Sequence, residues 1–547
     1  VIERLNPSSY EEFREQFRLP VPDDYNFATD FLDEMARIEP EKLAMVHVDD
    51  AGNRREFDFG FFADESRRLA SALAAKGLAK GDRVMLILYR RVEWWVAMLA
   101  LHRLGAVAVP SPSLLTRKDI EFRINYAKIK GCIVENTVAD RVEAVRSACP
   151  SLACLVQVEG SAPAGWSDYT AMCASASPEF VPPVPVGGSD PLLVFFTSGT
   201  TGMPKMVEHT HTYPLGHFTT GVYWHNLGET DLHLTLADTG WGKAVWGKFY
   251  GQWMAGAAVF TWDFRGKFDP ARLLELLAEH EVTSFCAPPT VYRFLVRQDL
   301  KKYDLSALRH CTTAGELLND SVFHAWKEAT GLAIYEGYGQ TETVLQLATL
   351  PFMTPKPGSI GKPAPGWEIA LLDEDGKPCP PGVEGEICVR VDKGRPTGLF
   401  TGYLDEPGKT FKVMDDRFYH TGDKAWVDED GYYWFLGRTD DLIKSSGYRI
   451  GPFEVESALV SHPAVVEAAV TGVPDAERGQ AVKASLVLAP GFEPSDALTK
   501  ELQNHVKSIT APYKYPRVVE YVAELPKTIS GKIKRAEIRE RDEGKGA

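Results

Sequence analysis

The chain has no cysteine pair in C-x-x-C spacing, and its eight cysteines, at 132, 149, 154, 173, 286, 311, 379 and 388, are scattered. That dispersal argues against a zinc site and a secreted disulfide framework, and it suits a reducing cytoplasm. Long apolar runs are missing too. The best stretch, 94–104, is broken by His102 and Arg103 and falls short of the ~20 residues that span a bilayer. The first residues, 1–13, are polar and charged, unlike a signal peptide. No segment is dense in Lys and Arg, and the formal charge is −15, which argues against a nucleic-acid surface. Internal repeats and low-complexity tracts are absent. What remains is an ordinary soluble composition, 44% hydrophobic and 25% charged, in 547 residues, too many for one compact core. The expectation is a cytoplasmic protein of two or more domains. A homo-oligomer is left open.

The pattern between residues 57 and 136 alternates strand and helix: a buried strand over 83–89, a helix over 92–104 and a strand over 106–110. The rhythm returns with a helix over 271–280 and a strand over 282–287, which implies parallel sheets flanked by helices. A Pro/Gly/Ser/Ala-rich connector covers 161–190. Past 355, the turn signals Asp375-Gly376, Pro381-Gly382 and Asp430-Gly431 separate short β-rich runs, as in a small barrel or sheet subdomain. After Asp440 the pattern becomes α+β, with helices over 452–459 and near 496–508 and strands over 465–472 and 481–488. The predicted class is α/β: a large N-terminal domain, 1–439, with a β-barrel-like subdomain, and a small C-terminal α+β domain, 440–547. From Asp441 onward, 15 basic residues balance 15 acidic ones, so the acidic excess lies earlier.

An apolar strand, 192–196, runs into Thr197, Ser198, Gly199, Thr200, Thr201, Gly202, Met203, Pro204 and Lys205. Glycines let backbone N–H groups turn inward, hydroxyls donate further bonds and the lysine supplies a point charge, as a phosphate cradle requires. The spacing is not G-x-x-x-x-G-K-[ST], and Pro204 suits the start of a helix poorly. On composition alone the stretch reads equally well as a surface loop. Further along come Thr313-Ala314-Gly315-Glu316; Tyr335-Glu336-Gly337-Tyr338-Gly339-Gln340-Thr341-Glu342; Tyr419-His420-Thr421-Gly422-Asp423; Gly437-Arg438-Thr439-Asp440-Asp441; Ser445-Ser446-Gly447-Tyr448-Arg449-Ile450; and Pro526-Lys527-Thr528-Ile529-Ser530-Gly531-Lys532.

The string TSGTTGMPK and these motifs, in this order, resemble the adenylate-forming superfamily: acyl-CoA synthetases, peptide-synthetase adenylation domains and firefly luciferase. The resemblance implies ATP, Mg2+ and coenzyme A as cofactors and a small carboxylic acid as substrate. It assigns Thr197 to Lys205 to the phosphates, Gly315 and Glu316 to the adenine, and Glu336 to Gln340 to the nucleotide, with Tyr338 stacking on the purine. Thr341 then bonds the α-phosphate, Glu342 holds Mg2+, and Asp423 and Arg438 meet the ribose. Lys532 is the lysine that enters for adenylation, and Asp440 is the hinge of a mobile C-terminal domain. Ser446, Gly447, Tyr448, Arg449 and Arg478 are placed on coenzyme A, with Arg123 as a further phosphate candidate.

Within that superfamily, SSGYRIGPFEVE and the segment 236–248 look closest to the medium-chain (butyrate-type) acyl-CoA synthetases. Trp224, Trp241, Lys243, Trp246 and Gly339 are then expected at the acyl pocket. Acetate enzymes have a tryptophan where this chain has Gly339, so more than an acetyl group should fit. Trp246 reads nearly as well as plain core. The expected substrate is a short-to-medium, compact or branched acid, with a benzoate-type aryl-CoA ligase as the alternative. Against an amino-acid-activating domain, the chain offers no ready carboxylate for the ammonium, and against a phosphate-loop kinase, Lys205 is not followed by Ser or Thr.

Overall fold

The computed structural model describes residues 2–197, 204–446, 448–527 and 533–545. An eight-stranded sheet is parallel through Val107–Pro110, Arg83–Ile87, Gly131–Glu135 and Cys154–Val158. On its other side, Pro191–Thr197 pairs antiparallel with Lys205–Thr210, which pairs in turn with Gly402–Tyr403. A nine-stranded sheet is parallel from Ile334–Tyr338 through His310–Ala314, Ser284–Cys286, Leu232–Thr235 and Ala258–Asp263 to Leu43–Asp49. The strand–helix rhythm of the sequence is thus a parallel α/β fold.

The Val92–Leu104 helix shows why the longest apolar run belongs to a core. It is buried on nearly every side, and Gly105 ends it in the left-handed conformation, φ 71°. Its interrupting polar residues are satisfied inside the protein: His102 Nε2 lies 2.8 Å from Tyr250 Oη, and Arg103 forks onto Asp33 at 2.7 and 2.8 Å. No helix among the described residues is long and apolar enough to cross a membrane.

The region rich in turn signals forms an antiparallel four-stranded sheet in the order Ile369–Leu372, Gly385–Arg390, Phe418–Val427, Tyr433–Arg438. The strand order is open, so of the expected barrel or sheet this subdomain forms the sheet. One helix interrupts it, Pro407–Val413, with proline in its first turn where no N–H is missed. Beyond it, Ile443–Ser445, Tyr448–Ile450, Gly479–Leu488 and Val465–Asp475 form an antiparallel sheet to which Val518–Tyr521 adds in parallel. The helices Pro452–Val460 and Asp496–Ile509 cover it with their own apolar cluster.

Candidate active site

Chain segments far apart in sequence meet where parallel strands end. The His310–Ala314 and Ile334–Tyr338 strands lie side by side in register, Ala314 opposite Gly337, so the Gly315-Glu316 turn and the Tyr338–Glu342 segment leave the same sheet edge. Ligands of open parallel sheets collect at the carboxyl ends of strands. Gly315 takes φ 100° with open space around it, a backbone few other residues adopt. Glu316 is exposed and accepts from Thr290 at 2.7 Å.

The phosphate-loop candidate connects a β-hairpin, since Thr197 pairs with Lys205 across two antiparallel strands. No helix follows: Lys205–Thr210 is a strand. Ser198 to Met203 lie outside the described residues. The Lys205 ammonium sits 4.6 Å over the Tyr403 ring, and Tyr403 Oη donates to Glu342 Oε1 at 2.9 Å. The candidate phosphate lysine and the candidate metal carboxylate are thereby joined through a tyrosine that no motif announced. Burial, followed by the Glu342 charge, pushes the Tyr403 phenol well up, so it stays a neutral donor. From the same hairpin, His209 Nε2 lies 2.7 Å from the Thr341 carbonyl. Burial drives this histidine down to about 4, so it is neutral, and a carbonyl partner requires Nε2 to carry the proton. His209 therefore fixes the turn that presents Thr341 and Glu342.

Asp423 is almost fully buried and receives Tyr338 Oη at 2.6 Å and Gln340 Nε2 at 2.7 Å on one oxygen. Tyr419 Oη donates to Gln340 Oε1 at 2.7 Å and completes a chain of donors. Arg438 Nε stands 4.0 Å from Asp423 and 3.6 Å from Asp440. Burial lowers the Arg438 guanidinium, but the carboxylates of Asp423, Asp440 and Glu342 outweigh it and hold the guanidinium above its usual range. Of the expected nucleotide residues, Tyr338, Gln340 and Arg438 thus gather on Asp423, and Thr341 and Glu342 follow Gln340 directly in the chain. The Tyr338 hydroxyl is engaged by Asp423, so what remains to it for a purine is ring surface. Glu336 does not join them. It is buried, accepts backbone N–H from Gly358 at 2.8 Å and Leu318 at 3.2 Å, and so anchors two loops beneath the edge.

At the expected acyl pocket, a side chain on Gly339 would start 2.2 Å from the Trp246 indole and 2.5 Å from the Val344 carbonyl oxygen. The room that glycine leaves is therefore taken by Trp246. Trp224 is core, packed behind Gly337, where a Cβ would come within 2.6 Å of it. Lys243 donates to the Ala314 carbonyl at 2.8 Å, which ties the 242–247 helix to the strand end before Gly315. Trp241 is half-buried at the N-terminus of that helix.

The residues expected on coenzyme A are in part brought together. Ser446, at φ 52°, donates its N–H to the Arg478 carbonyl at 2.9 Å. Exposed Tyr448 stacks on Tyr513 at 4.1 Å. Arg449 is paired with Glu374 at 2.5 Å and Glu384 at 3.1 Å, so here its partners are carboxylates. Arg478 faces Asp475 and Glu477. Arg123 is overturned as a surface candidate: it is buried against Phe196 at 4.6 Å, and desolvation lowers it to about 10. Gly447 and Lys532 lie outside the described residues.

A profile of the AMP-binding enzymes matches residues 32–404, and one of the AMP-binding enzyme C-terminal domain matches 454–532. The chain belongs to the AMP-binding enzyme family. Among curated AMP-binding enzymes it is 43% identical to the mitochondrial acyl-coenzyme A synthetase ACSM3 of Mus musculus, over 98% of this chain and 94% of that one. It is 44% identical to human mitochondrial acyl-coenzyme A synthetase ACSM5, over 96% and 92%. In structure it is similar to the anthranilate CoA ligase AuaEII in complex with anthranoyl-AMP, with TM-score 0.88, 32% identity, and 96% and 99% of the two chains covered. A benzoate CoA ligase from Burkholderia xenovorans follows at TM-score 0.80 and 28% identity, covering 94% and 100%.

Proposed function

We propose that this AMP-binding enzyme is an AMP-forming acyl-CoA synthetase of the medium-chain type, acting on a short-to-medium carboxylic acid. The carrying observation is the convergence of Thr197 and Lys205, Thr341 and Glu342, and Asp423 and Arg438 through Tyr403 and Gln340. In the first half-reaction a carboxylate oxygen attacks the α-phosphorus of ATP, and the bond to pyrophosphate breaks. Lys205 and the 197–205 hairpin hold the leaving phosphates, Thr341 bonds the α-phosphate, and Asp423 accepts ribose hydroxyls. Catalysis here is positioning and charge neutralisation. Glu342, an oxygen ligand whose second oxygen is not engaged by Tyr403, suits Mg2+, which neutralises phosphate charge when bound. Lys532 supplies a further cation as negative charge builds.

In the second half-reaction the thiol of coenzyme A attacks the acyl carbonyl, forming the thioester, and AMP leaves. The chain divides at Asp440 into 1–439 and 440–547. Rotation there presents Lys532 for adenylation, then Ser446, Gly447, Tyr448 and Arg449, with Arg478 adjacent, for thiolation. The ACSM relatives and the balanced charge of the last hundred residues support this reading. Eight free cysteines suit a reducing compartment, the cytoplasm or, as the relatives' names suggest, the mitochondrial matrix.

An aryl acid is the second reading, supported by the anthranilate and benzoate ligases among structural relatives. A panel of butyrate, 2-methylbutyrate, octanoate, benzoate and palmitate, scored for both AMP and acyl-CoA, tests the proposal. The best kcat/KM should fall among the first three. Preference for benzoate favours the aryl reading, and preference for palmitate overturns both.

A further inference from the structure

Away from the phosphate cradle, three metal-ligating side chains of different chemistry converge: Glu386, Cys388 and His420, the one such group among the described residues. They come from two paired strands. Cys388 lies directly opposite His420, and the pairing shifts register between Glu386 and Cys388, so that the Glu386 carboxylate reaches the same imidazole. His420 Nδ1 is 3.5 Å from Cys388 Sγ and 3.0 Å from Glu386 Oε2, and the three ligand atoms lie within 4.8 Å of one another.

These separations approach the edges of a metal polyhedron. Tetrahedral zinc, with bonds of about 2.3 Å to sulfur and about 2.0–2.1 Å to nitrogen or oxygen, sets its S···N edge near about 3.6 Å and its N···O edge near about 3.3 Å. The S···N edge is already there, and the N···O edge needs to open by a few tenths of an ångström. The other ring nitrogen, Nε2, faces Asp415 Oδ2 at 3.6 Å, the carboxylate partner that orients a metal-bound imidazole. His420 and Glu386 are partly exposed, at 32% and 26%, which leaves a fourth position for water.

We propose that Glu386, Cys388 and His420 form a binding site for a borderline-soft divalent cation such as Zn2+, which the AMP-forming chemistry does not require. Binding expels the thiol proton to solvent, and the proton that His420 Nδ1 shares with Glu386 gives way to the metal, leaving the imidazole protonated on Nε2 beside Asp415. Thiolate and carboxylate then balance the two charges of the ion, while soft sulfur and imidazole disfavour Mg2+. The other oxygen of Glu386 accepts the Gly422 N–H at 2.9 Å, and Gly422, at φ 72°, leads directly into Asp423. The site is therefore built into the turn that presents the ribose carboxylate.

Titration of the full chain with Co2+ alone tests this. A single tetrahedral cobalt with thiolate-to-metal absorption is expected, displaced by Zn2+ and indifferent to Mg2+. Cys388→Ala should abolish the thiolate band, and Glu386→Gln should weaken binding by at least about tenfold. Both variants are checked for native circular dichroism, and Glu386→Gln carries the test should Cys388→Ala fail to fold. Absence of a cobalt–thiolate band in the wild-type chain overturns the proposal, as does a band that persists in Cys388→Ala or unchanged affinity in Glu386→Gln.

Discussion

Trp246→Ala removes the indole whose edge fills the space beside Gly339. If that space is the far wall of the acyl pocket, its loss makes room for further methylenes of the substrate. Each buried methylene is worth about 0.8 kcal/mol, or about fourfold in kcat/KM. Two more therefore raise a longer acid over a shorter one by about 1.6 kcal/mol, roughly 15-fold. The substitution also leaves a cavity in the main core cluster, at about 3–5 kcal/mol of folding stability. Thermal unfolding must therefore show that the variant is native at the assay temperature. The assay follows pyrophosphate release with straight acids from acetate to decanoate. The optimum should lengthen by at least two carbons, with octanoate gaining on butyrate by about 15-fold or more. An unchanged chain-length profile in a folded variant would show that Trp246 only packs the core and would refute the assignment.

Asp423→Asn removes the negative charge from the common acceptor of Tyr338 and Gln340 and turns one of its two acceptor oxygens into a donor. KM for ATP should rise by about 10–100-fold, as losing a charge-assisted bond of about 1.5–3 kcal/mol implies, and a KM within twofold of wild type would count against it. Burial raises Glu336 from 4.5 to about 8, against the lowering pull of the Leu318 and Gly358 N–H groups. Between those values the unfolded chain has lost a proton that the folded chain keeps, so this group's stabilising contribution, full below 4.5, is lost as pH rises through 8. Glu336→Gln should show a smaller drop in melting temperature between pH 5 and pH 8 than wild type, and parallel profiles would contradict the buried acid. Replacing Glu374 and Glu384 together by Gln frees Arg449 from its two carboxylates. Pairs this exposed are worth about 0.2–1 kcal/mol each, so KM for coenzyme A should fall by roughly 2–30-fold, and an unchanged KM would remove Arg449 from the site.

What was legible in the sequence is what local chemistry dictates. The 92–104 helix emerges over the expected residues because its apolar run ends at a glycine that takes a left-handed cap. That a strand and not a helix follows the Thr/Gly loop rests on the pairing of Lys205–Thr210 with Pro191–Thr197, since a proline such as Pro204 is no bar to a helix start. The links between motifs were illegible, because they join residues far apart in the chain. Tyr403, which bridges Lys205 and Glu342, stands in no motif, and its role follows from the pairing of Gly402–Tyr403 with Lys205–Thr210. Glu336 sits among nucleotide residues, yet as its neighbours on the strand alternate between faces it points down to backbone donors. Arg123 looked like any surface arginine until Phe196 covered it. Cys388 and His420 gave no metal spacing because their nearness is a register across two strands.

In the proposed mechanism one cation from the C-terminal part, Lys532, serves the first half-reaction and not the second. Lys532→Ala should be assayed in two ways: for pyrophosphate release from ATP with butyrate, and for acyl-CoA formation from supplied butyryl-AMP and coenzyme A. The first should fall by at least about a hundredfold, as loss of a group stabilising transition-state charge implies, while the second stays within a few-fold of wild type. Equal loss of both, or release of ADP in place of AMP by the wild-type chain, would contradict it.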